Sequence, residues 1–116
     1  MILHFCPRPE WDRAAATGTY RAASLESQGF IHLSTPEQVH IPANLLARGR
    51  TDLVLLVLDE ALLPAPVVWE DGDPPHPDGI QFPHLYAAIP TAAVTAVHEW
   101  RPEPDGTFLP PTHLSD

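Results

Sequence analysis

The sequence predicts one α+β domain, a small and mostly antiparallel sheet packed on two main helices. Three observations point to it. The run Leu53-Val54-Leu55-Leu56-Val57-Leu58 is apolar at every position and bounded by Asp52 and Asp59, the pattern of a central strand covered on both faces. Shorter apolar segments at 2–5, 29–34, 66–70, 82–87 and 94–100 read as its partners. Helix-entry signals are strong at two places, so the order is strand–helix, strand–helix and then a series of strands.

Each element has a local reason. Residues 2–5 form a first strand that carries His4 and ends at Pro7 and Pro9. Pro9-Glu10-Trp11 opens a helix, with an acid in the first turn where the helix dipole favours it. Trp11, Ala14 and Ala15 share a face, and Gly18 stops the helix. A polar stretch from Tyr20 to Gln28 then connects to Gly29-Phe30-Ile31-His32-Leu33-Ser34. Period-two alternation there puts Phe30, His32 and Ser34 on one face and Ile31 and Leu33 on the other. Ser34 is the predicted N-cap of the second helix, with Pro36 inside its first turn, Pro42 breaking or delaying it and Gly49 ending it.

The second half is mostly extended. Glu60-Ala61-Leu62-Leu63 is a single turn, and 66–70 is a strand. Residues 71–79 hold Gly72, Pro74, Pro75, Pro77 and three aspartates, and read as a mobile surface loop outside any core. An extended segment carries His84, a turn follows at 89–93, and 94–100 is the last strand. The domain is expected over 1–101, with 102–116 as a proline-rich irregular tail.

Composition narrows the function. A net charge of -9 argues against duplex nucleic acid, because phosphate binding needs concentrated Lys and Arg. All six basic residues are Arg, and Arg8, Arg13 and Arg21, or Arg48 and Arg50, could each serve one phosphate of a small ligand. No tract is long enough to span a bilayer, the N-terminus lacks the features of a secretory signal, and the single Cys6 fits a reducing compartment. The cytoplasm is the expected location, with no membrane partner. The glycines match neither GxGxxG nor GxxxxGK[ST], and no serine sits in GxSxG. Cys6 with a remote histidine is the one candidate nucleophile pair, against the commoner role of a buried small hydrophobe.

The histidines carry the remaining chemistry. His4, His32 and His84 each sit in a short apolar extended segment. Three such rings could converge as a zinc triad, although no ligand motif such as HExxH or CxxC is present and no metal is expected. Alternatively they line one cleft, where neutral imidazole both donates and accepts and so suits ribose hydroxyls. Tyr20 and Tyr86 could stack on a base or nicotinamide ring, and Ser24, Glu26 and Ser34 could add hydrogen bonds. Taken singly, each of these residues is better explained by a structural role, and packing explains them less easily taken together.

Ile2-Leu3-His4, Glu10-Trp11, Tyr20, Ser24-Leu25-Glu26, Gly29-Phe30-Ile31-His32-Leu33-Ser34, Glu37-Gln38-Val39, Asp52-Leu53-Val54-Leu55-Leu56, Trp69-Glu70 and Phe82-Pro83-His84-Leu85-Tyr86 closely resemble the small bacterial family catalogued as domain of unknown function 952. The match runs in order from about Ile2 to Trp100. That family is grouped, on remote similarity, with the ADP-ribosyltransferase superfamily, which implies a split antiparallel sheet with NAD in its cleft. The resemblance implies a ribose-holding role for His4 and places His32 with Ser34 at the second motif position. For the third it implies His84, with Glu70 or Gln81 as fallbacks. NAD would then be the substrate, with His32 and His84 catalytic and His4, Tyr20, Ser24, Glu26, Ser34 and Tyr86 binding ligand. A non-catalytic module for a nucleotide-like small ligand is the alternative, and a histidine metal site the third.

Overall fold

The computed structural model describes residues 1–72 and 74–115. The chain runs β1 (Ile2–Pro7), α1 (Arg8–Thr17), β2 (Thr19–Tyr20), α2 (Ala23–Ser27), β3 (Ile31–His32), α3 (His40–Leu46), β4 (Leu53–Leu58), β5 (Val68–Asp71), β6 (Gln81–Leu85), β7 (Ile89–Pro90) and β8 (Val94–Trp100). Single helical turns precede β5 and β8. The fold is a small α+β domain whose strand pairs are antiparallel. One three-stranded sheet has the order β1-β4-β8, a second has β3-β6-β5, and β2 pairs with β7.

The apolar run is the centre, as expected. All six residues of β4 are buried. Val54, Leu56 and Leu58 face a core shared with Ile31, Leu33, Leu85 and Ile89, and Leu53, Leu55 and Val57 face one shared with Leu3, Val39, Ala43, Trp100 and Phe108. A strand covered on both sides has no use for polar residues, which is why the pattern is continuous rather than alternating. No helix of the described residues is long and apolar enough to cross a membrane.

Helix boundaries show where local signals hold and where they give way. α1 has Pro in its first turn and stops at Gly18, whose φ of +90° is a left-handed conformation that glycine adopts without strain. Ala14 is buried on this helix, but Ala15, expected beside it, is exposed. The stretch after Tyr20 is not a plain connector: it contains α2, whose five residues are too few to show an apolar stripe. Gly29, at φ +88°, turns the chain out of α2, with its N–H bonded to the Ser24 carbonyl. Ser34 is not the N-cap of the second helix. Residues 36–39 form turns, α3 begins at His40, and its N-cap is Val39. Pro42 sets that delay, because a residue without an N–H fits only the first turn.

A narrow seam joins the two three-stranded sheets. Leu3 N–H donates to the Ser34 carbonyl at 2.7 Å, and Ser34 N–H returns the bond to Leu3 at 2.8 Å. His4 crosses the same seam with its side chain. Its Nδ1 donates to the His32 carbonyl at 2.7 Å, and its Nε2 therefore accepts from the Tyr20 hydroxyl at 2.9 Å. A carbonyl only accepts, so this pair of bonds selects one neutral tautomer. Burial agrees, pushing the His4 pKa down to about 4, with the His32 carbonyl bond opposing and the nearby His32 ring reinforcing the shift. His4 is a structural pin.

Residues 102–115 contain no helix or strand, yet they are anchored. Phe108 is 1% exposed within the second core. Asn44 of α3 clamps its backbone from both sides, Nδ2 donating to the Phe108 carbonyl at 3.0 Å and Oδ1 accepting from its N–H at 2.6 Å. Phe108→Ala is expected to lower unfolding free energy by about 3–5 kcal/mol through the cavity it leaves, as read from the denaturant midpoint.

The His4 pin makes stability depend on pH. Unfolded, the ring takes a proton below its ordinary value of 6.5, and folded only below about 4. Between those values the unfolded chain holds more protons, so stability is lost as pH falls. We expect His4 to remove about 3 kcal/mol across that window and nothing above it. Urea unfolding at stepped pH checks this by comparison with His4→Gln; an unchanged slope in the variant refutes it.

Candidate functional site

Alternation along β3 and β6 builds the floor of a cleft. His32 stands directly opposite His84 in the register, with ring centroids 5.2 Å apart. Phe30, on the same face, stacks on His84 at 4.2 Å with an interplanar angle of 20° and meets the His32 ring edge-on at 4.8 Å. Ser34 and Phe82 continue this face toward α3. The other face, Ile31 and Leu33, is buried in the core. The period-two expectation for this segment therefore holds, although β3 itself is only two residues long.

His84 is the most constrained group on that floor. It is 2% exposed, and its Nδ1 lies 2.8 Å from Glu70 Oε1, which also accepts from the Tyr86 hydroxyl at 2.7 Å. The hydrogen bonds from Tyr86, and then His84, hold the Glu70 carboxyl below the usual glutamate range. Bonding to Glu70 in turn pushes the Tyr86 phenol up. When the ring is neutral, Nδ1–H donated to the carboxylate leaves Nε2 as an acceptor. That atom is buried and has no hydrogen-bond partner among the described residues. Buried polar atoms are seldom left so, and a ligand or water is the ordinary answer.

Two walls rise from the floor to enclose about 440 Å³. Ile41, Pro42, Asn44 and Leu45 of α3 form one, and Gly72, Pro74, Pro75, His76 and Pro77 form the other. The loop read as lying outside any core is thus a wall of the site; Asp73 lies outside the described residues. Gln38 bonds its Nε2 to the Gln81 carbonyl at 2.7 Å, tying the turn before α3 to β6, and the Asn44–Phe108 clamp holds the helix from behind. Proline rings and aliphatic side chains dominate the lining. Polar capacity is confined to a few atoms, the usual character of a small-ligand site.

The expected residues divide sharply. His32, His84 and Ser34 line the cleft, and Tyr86 stands outside the lining, bonded to Glu70 and in ring contact with Phe30. His4 and Tyr20 are not among the lining residues: both ring nitrogens of His4 are committed, and Tyr20 is 3% exposed with its hydroxyl on His4. Burial raises the Tyr20 phenol and pushes the Cys6 thiol up to about 12, so Cys6 is not an activated nucleophile. Ser24 and Glu26 sit on α2 and do not line the cleft; the Ser24 carbonyl instead accepts from Gln28 and Gly29. Gln81 contributes its carbonyl to Gln38 rather than a side chain to the site. His32 Nε2 meets Gln28 Oε1 at 2.8 Å.

Charge at the site is sparse. No arginine is among the lining residues. Arg50 forks onto Asp52, and Arg8 lies 4.0 Å from Glu99. Among the described residues no group of three or more His, Cys, Asp or Glu is placed to hold a metal ion, and the three strand histidines do not form one set. Sequence reasoning missed Phe30 as a ring platform and His76 altogether. A histidine among three prolines was the only local signal for the latter.

Solved structures with this fold exist. The crystal structure of protein CC0527 from Caulobacter crescentus matches with a TM-score of 0.80 at 34% sequence identity, over 93% of this chain and 92% of that one. The solution NMR structure of CC0527 matches with a TM-score of 0.71 at 33% identity, over 91% and 89%. No curated protein matches the chain. A family model, described as protein of unknown function (DUF952), matches residues 5–97. With most of its length covered by that model, the chain belongs to the DUF952 family of proteins of unknown function.

Proposed function

We propose that the protein binds a nucleoside-like small molecule in the His32–His84 cleft, NAD being the candidate, and acts at the bond between ribose and nicotinamide. One observation carries the reading: a buried histidine whose Nδ1 is held by a carboxylate and whose Nε2 is left without a partner. A carboxylate behind an imidazole steadies the ring orientation and favours the charged form once a proton arrives, which suits a general base. NAD as the ligand rests on the remote grouping with the ADP-ribosyltransferase superfamily that the sequence resemblance implies.

In this reading His84 Nε2 accepts the proton of an attacking hydroxyl or water, and nicotinamide departs with the electron pair of the broken C–N bond. His32 and Ser34 hold the ribose hydroxyls. His4 takes no part, because its nitrogens serve the seam. The absence of an arginine from the lining leaves the pyrophosphate to solvent, so the nucleoside end supplies most of the recognition.

A non-catalytic ligand-binding module is the second reading. It is favoured by the lack of any carboxylate side chain among the described lining residues, since Glu70 stands behind His84. NAD titration followed by imidazole NMR and by nicotinamide release separates the two. Signals of His32 and His84 are expected to move while those of His4 stay. His84→Ala should weaken binding about tenfold or more, and Glu70→Gln should slow release more than it weakens binding. Saturable binding without release selects the non-catalytic module, and no binding at all overturns both.

A further inference from the structure

His76 of the proline loop lines the same cleft as the floor histidines, and the hydrogen bonds on His76 and His84 make their polarity readable. The Asp78 N–H donates to His76 Nδ1 at 3.1 Å. That nitrogen must be unprotonated, so the ring proton sits on Nε2 and the nitrogen left for a ligand is a donor. His84 is its complement. Its Nδ1–H points at Glu70, so the atom it leaves for a ligand, the buried Nε2, is an acceptor. Both belong to the lining of one cleft that is otherwise mainly aliphatic, with no arginine in it and a chain charge of -9 around it.

We propose that His76 is a specificity-determining residue of this cleft, and that with His84 it selects an uncharged planar group bearing one donor and one acceptor, such as a carboxamide or the lactam edge of a base, over a carboxylate or phosphate. The inference rests on the reading of the cleft as a ligand site and names the chemistry that site recognises. An anion could satisfy His76 but would set a second lone pair against His84 Nε2 in a weakly polar enclosure. An amide gives its N–H to His84 and its carbonyl to His76. Pro75 and Pro77 on either side restrict the backbone that carries the His76 ring, so the donor is presented at little conformational cost.

Nicotinamide and nicotinate test this, because they share a ring and differ in the amide. Histidine nitrogen NMR of the ligand-free protein at about pH 8 should show His76 protonated on Nε2 and His84 on Nδ1. Nicotinamide should then shift both residues and bind about tenfold more tightly than nicotinate. His76→Phe, which keeps the ring and removes the donor, should bring the two within about threefold, while His76→Gln retains the preference. Nicotinate binding as well as nicotinamide, an unchanged preference in His76→Phe, or the opposite tautomers would overturn the proposal. If NAD shifts His84 but neither small probe does, this inference fails and the nucleoside reading stands. If NAD also fails to bind, both fail.

Discussion

The structure depends on the seam at Leu3, His4, His32 and Ser34. Among the described residues, two three-stranded sheets meet there through one reciprocal pair of backbone bonds, reinforced by the His4 side chain. Backbone pairing at a seam this short would be easily lost to water. A buried imidazole that donates to the His32 carbonyl and accepts from Tyr20 extends it through a side chain. Its low affinity for protons follows from the same burial. The seam also aims the neighbouring face: once Leu3 pairs with Ser34, alternation turns Phe30, His32 and Ser34 away from Ile31 and Leu33, and His32 and Ser34 line the cleft beside α3.

The cleft inherits its shape from that constraint. Its floor belongs to the second sheet, its helical wall is tied to β6 by Gln38 and to the irregular C-terminal segment by Asn44. Phe108 is therefore part of the support of the site as well as of the core. At the floor, Glu70 gathers His84 and Tyr86 onto one oxygen while Phe30 covers the imidazole. The polar groups that are satisfied form the scaffold. The atom left over, His84 Nε2, is buried without a hydrogen-bond partner among the described residues.

Several features were legible in the chain. The strand at 53–58 was plain because burial on both faces demands an unbroken apolar run, and α1 because Pro9, Glu10 and Gly18 each act within one helical turn. The alternation at 30–34 was equally local. Ser34 shows the limit of such signals. Its residue type and the following Thr35-Pro36-Glu37 resemble a cap, but Pro42 postponed the helix and a strand partner claimed the Ser34 backbone. α2 was too short to carry a periodic stripe, and the packing of Phe108 depends on a residue sixty-four positions away.

The histidines show most clearly how the two kinds of information differ. The sequence by itself determined that His4, His32 and His84 would be unusual, since each interrupts an apolar extended segment where an imidazole needs partners. Which partners each found was decided only by tertiary structure. His4 was drawn into the seam because β1 passes beside β3, and His84 was turned to the cleft because its strand neighbour brings Glu70 within 2.8 Å. His76 joined them from a loop whose composition argued against any core role. His4 finds its partners 28 and 16 residues away and His84 finds Glu70 14 residues away, separations that no local pattern encodes.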